Sequence, residues 1–286
     1  MARVKSHSIL RITAGVAAGI GATLLYMWKR KAAKKKQKLL GGRSRSSARI
    51  LVTGFHDWEG LDNPPNVWKI CKNPSARLLV GDACDAPPSE KKGPLANVLR
   101  KLERSTRAGW EFSFQTLPTT WRSSWCLDRS FFDVVIHLGL GVYDCVDKIL
   151  VEDGAINKRA NLKDAAGNLP PAGMLDEKGP NVLEASPRQR RAIADIDGRT
   201  VSGGGNSDTP PLFTVQRVAA RPENSYICNE THWSGLLDVQ RGKGRRPAAV
   251  FFVHIPFPKV NEDYEPLATA VAAVIDELSE SVLERA

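Results

Sequence analysis

Glu223-Asn224-Ser225-Tyr226-Ile227-Cys228-Asn229-Glu230-Thr231-His232-Trp233 lies between two apolar runs, Phe213-Thr214-Val215-Gln216-Arg217-Val218 and Ala248-Ala249-Val250-Phe251-Phe252-Val253-His254-Ile255-Pro256. Both runs are rich in β-branched and aromatic residues, as strands are. The segment between them predicts a helix beginning near Asn229. Strand, helix, strand is the signature of an α/β sheet.

This reading puts Cys228 at or just before a helix N-terminus. Backbone N–H groups there have no intrahelical acceptor, and the helix dipole favours negative charge. A thiol so placed tends to ionise below its free value, and the thiolate is the nucleophile. The second run is a buried strand that delivers His254 at its C-terminal edge, where open α/β sheets place their sites. A third stretch, Lys148-Ile149-Leu150-Val151-Glu152-Asp153-Gly154-Ala155-Ile156-Asn157, carries an acid after three apolar residues. Taken singly, each residue has a plainer reading: a small buried cysteine, a satisfied core histidine, a solvated strand-end acid. Taken together, Cys228, His254 and Glu152 suit acyl transfer, with thiolate attack, proton transfer by the imidazole and a carboxylate that orients it.

The motifs around these three residues resemble pyroglutamyl peptidase I, the cysteine peptidases that remove N-terminal pyroglutamate. Val151-Glu152-Asp153-Gly154-Ala155-Ile156-Asn157 is similar to the family's Leu-Glu-Arg-x-Ala-x-Asn. Tyr226-Ile227-Cys228-Asn229 matches Tyr/Phe-Leu/Val-Cys-Asn, and Phe252-Val253-His254-Ile255-Pro256 matches Phe-Ile-His-Val-Pro. The order Glu, Cys, His agrees, over roughly residues 49–280. The resemblance implies Cys228 as nucleophile, His254 as general acid/base and Glu152 as its orienter, with an oxyanion received by the backbone N–H groups of Cys228 and Asn229. It also implies a flat slot for the lactam ring from Phe55, Trp58, Asn63, Tyr226 and Ile227, a peptide substrate, and no metal or organic cofactor. The sequence departs from the family at Gly54-Phe55-His56-Asp57-Trp58-Glu59-Gly60, which lacks a proline and a glycine of the Gly-Phe loop. It departs again at Gly139-Leu140-Gly141-Val142-Tyr143-Asp144, which lacks a Gln and an Arg, and Leu162 stands near the place of a further Arg. These departures keep two alternatives open: a cysteine amidase or acyl hydrolase of different substrate, and a catalytically silent, membrane-tethered binding module.

The 286 residues carry a net charge of +10, which alone would point to nucleic acid. Residues 1–48, however, hold 12 Lys and Arg and no acid, leaving 29 basic against 31 acidic residues after them. The excess belongs to the N-terminal segment, so no nucleic-acid partner is expected for the rest. Five cysteines, Cys71, Cys84, Cys126, Cys145 and Cys228, stand singly, which argues against a disulfide framework or zinc site and for a reducing compartment.

Ile12 to Trp28 contains no charged residue across 17 positions. At 1.5 Å per residue it spans about 25 Å, near the lower limit for a bilayer. Tyr26 and Trp28 sit at one end, followed by seven positive charges in the ten residues from Lys29 to Lys38. The positive-inside rule then places the following domain on the cytosolic face of a membrane, and the pattern resembles signal anchors of the mitochondrial outer membrane. A cleaved signal, a mitochondrial import sequence and a helix packed on a cytoplasmic domain are the alternatives.

The chain therefore divides into an anchor with basic flank (1–40), a linker (41–48) and an α/β domain (49–286) compatible with a homo-oligomer. Within the domain, Arg49–Phe55, Trp110–Leu117 and Asp133–Gly139 read as strands; Val67–Cys71, Leu95–Leu102 and Pro187–Ile196 read as helices. His137 sits inside a strand and reads as structural. Val201–Pro211 reads as a loop insertion. Asn261–Ala286 is an amphipathic helix with Leu267, Val271, Val274, Ile275, Leu278 and Val282 on one face. The expected fold is an open, mixed or largely parallel sheet sandwiched between helices.

Overall fold

In the computed structural model the described residues are 47–56, 74–80, 93–107, 109–141, 147–204, 210–242, 247–256 and 264–284. The expected membrane span, most of the linker, the helix expected over Val67–Cys71, and the candidate slot residues Trp58 and Asn63 lie outside them. Among the described residues no helix is long and apolar enough to cross a membrane.

The strands are β1 Ala48–Phe55, β2 Trp110–Leu117, β3 Val134–Leu140, β4 Lys148–Glu152, β5 Gly154–Ile156, β6 Val182–Glu184, β7 Thr200–Ser202, β8 Leu212–Val218 and β9 Ala249–Ile255. The helices are α1 Pro74–Val80, α2 Pro94–Arg104, α3 Pro187–Ile196, α4 Ile227–Arg241 and α5 Glu265–Leu283. Seven strands form one mixed sheet in the order β2-β1-β3-β9-β4-β8-β7. The pairs β2/β1, β1/β3, β3/β9 and β4/β8 are parallel, while β9/β4 and β8/β7 are antiparallel. Two expectations are corrected. Residues 201–202, read as the start of a loop, instead belong to edge strand β7, which pairs with β8 because Val201 buries its side chain against the core. Helix α4 begins at Ile227 rather than near Asn229, so Cys228 lies inside its first turn.

Alternation along each strand sorts the residues to two faces. One face presents Ile50, Val52, Val134, Ile136, Leu138, Phe251 and Val253 to α1, α2, α3 and α5, forming the main core. The six apolar residues expected on one face of α5 are all 4% exposed or less. The other face carries Thr53, His137, Gly139, Phe252, His254 and Glu152, brought together by the registers Thr53↔His137, His137↔Phe252, Gly139↔His254 and Glu152↔Phe252. Helix α4 covers this face. Its far side packs Trp233, Leu236 and Leu237 on Ala155 and Leu183 of the small antiparallel pair β5/β6. Enclosed on both sides, α4 buries Ile227 and all of Asn229–Leu237, polar residues included. Strand periodicity therefore places polar and titratable side chains between a sheet and a helix, where each needs a partner.

Candidate active site

Strand β4 runs antiparallel to β9, so Glu152 stands opposite Phe252 and diagonal to His254. Diagonal neighbours are within reach of long side chains. Glu152 Oε1 accepts from His254 Nε2 at 2.9 Å and from Asn224 Nδ2 at 2.9 Å. Its Oε2 accepts from His232 Nδ1 at 3.1 Å. Glu152 is 2% exposed and His232 fully buried. Burial works to raise the carboxyl, yet the His254 and His232 rings hold it down at about 2. It is an anion throughout the physiological range.

His254 meets an acceptor on each nitrogen: Nδ1 lies 3.0 Å from Leu140 O, opposite Glu152 on Nε2. A carbonyl and a carboxylate can only accept, so both nitrogens donate and the ring is an imidazolium. Burial works to lower its pKa, but the Glu152 charge and the bonds to Glu152 and Leu140 together raise it. His137, by contrast, spends its ring on Thr53 Oγ1 (2.7 Å) and Arg129 Nε (3.4 Å), and burial beside Arg129 keeps it well below its ordinary pKa. It braces the sheet, as its place inside β3 predicts.

Cys228 occupies the first turn of α4, and its Sγ lies against β3. A Cβ at Gly139, the register partner of His254, would stand 3.0 Å from that sulfur and 2.5 Å from the Phe252 ring. Glycine at 139 is what lets the helix bring its thiol to the sheet. Both imidazole nitrogens are engaged, Nδ1 with Leu140 O and Nε2 with Glu152 Oε1. The expectation of a thiol acidified by its helix N-terminus is also corrected. Burial pushes the Cys228 thiol well above its ordinary value, the Glu152 carboxylate adds to the rise, and only the residue's own N–H opposes them.

The first helical hydrogen bond of α4 runs from Glu230 N to Tyr226 O, leaving the N–H groups of Ile227, Cys228 and Asn229 without a carbonyl in the helix. The N-cap residue Tyr226 provides no side-chain cap. The Asn229 side chain clamps β5 instead, accepting from Ile156 N and donating to Ile156 O and Lys158 O. Its neighbour Glu230 accepts from Arg159 at 2.7 Å and from Arg122 N and Trp125 Nε1. Arg122 is the one non-glycine described residue at positive φ (66°), a strained position that aims its N–H at Glu230.

Phe55 and Ile227, both 2% exposed, pack with Leu117, Trp121 and Phe252, and Tyr226 and Cys228 border them. Trp121, which sequence reasoning missed, meets Tyr226 edge-to-face at 5.1 Å. Trp121 Nε1 donates to Leu162 O and Tyr226 Oη to Lys163 O, so two aromatics hold the 162–163 backbone over the cluster. Leu162 itself is exposed. Gly54 serves the same region: a Cβ there would meet Ser75 O at 2.7 Å, and Ser75 Oγ accepts from Phe55 N. Also missed were Asn224 and His232. Both lie in the stretch around Cys228, and the four-residue step from Cys228 to His232 was the available signal, since it puts both on one side of a helix.

The chain has the pyroglutamyl peptidase fold. Pyrrolidone carboxyl peptidase from Pyrococcus furiosus, as a mutant, superposes with a TM-score of 0.53 at 16% identity, covering 83% of this chain and 99% of that one. The enzyme from Fervidobacterium islandicum gives 0.53 at 18% identity over 82% and 99%, and that from Thermococcus litoralis 0.53 at 17% over 84% and 96%. At such identities the likeness is one of fold. No protein-family model and no curated protein sequence matches the chain.

Proposed function

We propose that the protein is a cysteine peptidase of pyroglutamyl type, cleaving an N-terminal acyl-amide bond through an acyl-enzyme. The observation that carries this reading is the Glu152–His254 pair at 2.9 Å on the sheet face that the first turn of α4, with Cys228, covers. Cys228 is the nucleophile, His254 the general acid/base and Glu152 its orienter. With Nε2 held by Glu152, Nδ1 is the nitrogen free to exchange partners, leaving Leu140 O for Sγ once the ring has lost a proton. The thiol proton passes to His254 as sulfur attacks the acyl carbon. The oxyanion is received by the N–H groups of Cys228 and Asn229, which the helix leaves unpaired. His254 then protonates the leaving amine, and water, activated by the same imidazole, hydrolyses the thioester.

In this proposal Phe55, Tyr226 and Ile227 line the acyl slot; Trp58 and Asn63, which the family resemblance adds to it, lie outside the described residues. A second reading, hydrolysis of a different acyl amide, is favoured by the stretch after β3, where the family's Gln and Arg are absent. Residues 12–28 tether the domain to the cytosolic face of a membrane in this proposal, and resistance of the full chain to carbonate extraction tests that part. The chemistry is tested with pyroglutamyl-aminomethylcoumarin beside a panel of other acyl aminomethylcoumarins. Turnover by the full chain that vanishes in Cys228→Ser supports the reading; turnover unchanged in Cys228→Ser refutes it.

A further inference from the structure

Glu152 is held by three side chains, and two of them, Asn224 and His232, lie outside the proposed triad. His232 gives its Nδ1 proton to Oε2. Its Nε2 is buried with no partner. The carboxylate can only accept, which puts a proton on Nδ1. A half-satisfied imidazole at 0% exposure is costly where an apolar residue would pack freely. Its single polar contact, the bond to Glu152, is therefore what the position supplies.

His232 lies one turn beyond Cys228 on α4, on the same side of the helix. The bond to Glu152 thus ties the helix that carries the thiol to the strand that carries the carboxylate. We propose that His232 is a positioning residue: it occupies Oε2 so that Glu152 presents Oε1 to His254, and it sets the depth of Cys228 against the sheet. This inference rests on the triad reading above.

Without His232, Oε2 would be an unpaired anionic oxygen in a buried site. The carboxylate would become more basic and would hold the shared proton of the Glu152–His254 pair more tightly. The other titratable and charged groups facing the pair are Cys228 from α4, His137 from β3 with Arg129 behind it, and Arg221 ahead of Asn224. Arg221 works to lower the His254 pKa, and its charge is the same in every variant.

The test compares the full chain with His232→Leu and His232→Asn, the latter placing an amide N–H where Nδ1 stands. The His254 ring is titrated by NMR, and the pH profile of kcat/KM is recorded on a cleaved acyl amide. In His232→Leu the His254 titration and the acid limb should move up by about half to one pH unit. Its kcat should fall about tenfold with KM nearly unchanged. His232→Asn should recover most of both. If His232→Leu does not fold, His232→Phe, closer in volume to the imidazole, takes its place. An unmoved His254 titration, or equal impairment of the Leu and Asn variants, overturns the proposal and leaves His232 a packing residue. Should the wild type cleave no acyl amide, the triad reading fails, while the NMR titration still decides whether His232 acts on Glu152.

Discussion

Replacing Glu152 by Gln exchanges one acceptor oxygen for an NH2 group, and the structure says which bond suffers. With the amide oxygen in the place of Oε1, His254 and Asn224 keep their acceptor. The NH2 then faces His232 Nδ1, which can accept only with a ring proton on Nε2, where there is no partner. A buried N–H without an acceptor costs about 1–3 kcal/mol. The second loss is electrostatic. A carboxyl held at about 2 instead of its ordinary 4.5 contributes about 3 kcal/mol of stability at neutral pH. Its sign follows from the direction of each shift. The depressed carboxyl stabilises above 4.5, and its contribution is lost as pH falls toward 2. The raised His254 stabilises below 6.5, and its contribution is lost as pH rises through its folded-state value. The pair is thus at full strength between about pH 4.5 and 6.5. Glu152→Gln should lower Tm most in that window, and the deficit should shrink above the His254 pKa. In catalysis the imidazolium exchanges a charge-assisted bond for a neutral one, about 1–2 kcal/mol, or roughly 5- to 30-fold in kcat/KM. Without the carboxylate, burial prevails at His254, so the acid limb of the pH profile should move down. Thermal melts from pH 4 to 9 and kcat/KM profiles of the two proteins are the measurements. A variant with wild-type rates, an unmoved limb and a pH-independent Tm deficit would refute the pairing.

Gly139→Ala should cost about 1–3 kcal/mol of stability, read by chemical denaturation, and slow alkylation of Cys228, because the methyl collides with Phe252 and Sγ. Arg159→Met strands Glu230 in a buried site and should destabilise by about 3–5 kcal/mol; adding Glu230→Gln should restore part of the loss in the same melts. Iodoacetamide labelling of Cys228, followed by mass spectrometry, should rise with pH along the His254 titration and slow in His254→Ala, since burial keeps the lone thiol protonated. Trp121→Ala should raise KM more than it lowers kcat in steady-state assays, as it frees the 162–163 backbone over the proposed acyl slot without touching Glu152 or His254.

What was legible in the sequence follows from how each feature is encoded. Strands β1, β3, β8 and β9 and helices α3 and α5 announce themselves by period and by punctuation such as Pro187 and Pro266, and those elements stand where the pattern puts them. The Glu152–His254 contact was legible only through motif order, since the diagonal pairing depends on β4 running antiparallel to β9. Edge strand β7 and the β5/β6 pair escaped because three residues carry no periodicity. Helix α4 was placed too late because it is buried on both sides and lacks the one-sided apolar stripe that marks a surface helix. The state of Cys228 was misjudged for a different reason. A helix N-terminus is a local feature that a sequence displays, whereas burial against Gly139 and a carboxylate from a distant strand are properties of the assembled fold.

The protonation state of Cys228 and His254 decides how the site would begin its proposed reaction. The sheet face that α4 covers holds a neutral thiol and an imidazolium whose two protons are already donated, to Leu140 and to Glu152. This state carries one proton more than the chemistry uses, because a ring with no lone pair cannot take a proton from sulfur. Loss of that proton releases Nδ1 from Leu140 while Glu152 retains Nε2. In the proposed reaction a single ionisation would therefore both generate the base and free the nitrogen that turns to Cys228. The same carboxylate that raises the thiol pKa stabilises the imidazolium formed when the thiol gives up its proton. In the proposed reaction Glu152 would thus disfavour a free thiolate at rest and favour the transferred proton in the transition state, which is the differential stabilisation that accelerates a reaction. On this account the acid limb of kcat/KM belongs to His254 and lies above 6.5, and it reports the coupled pair rather than the free thiol.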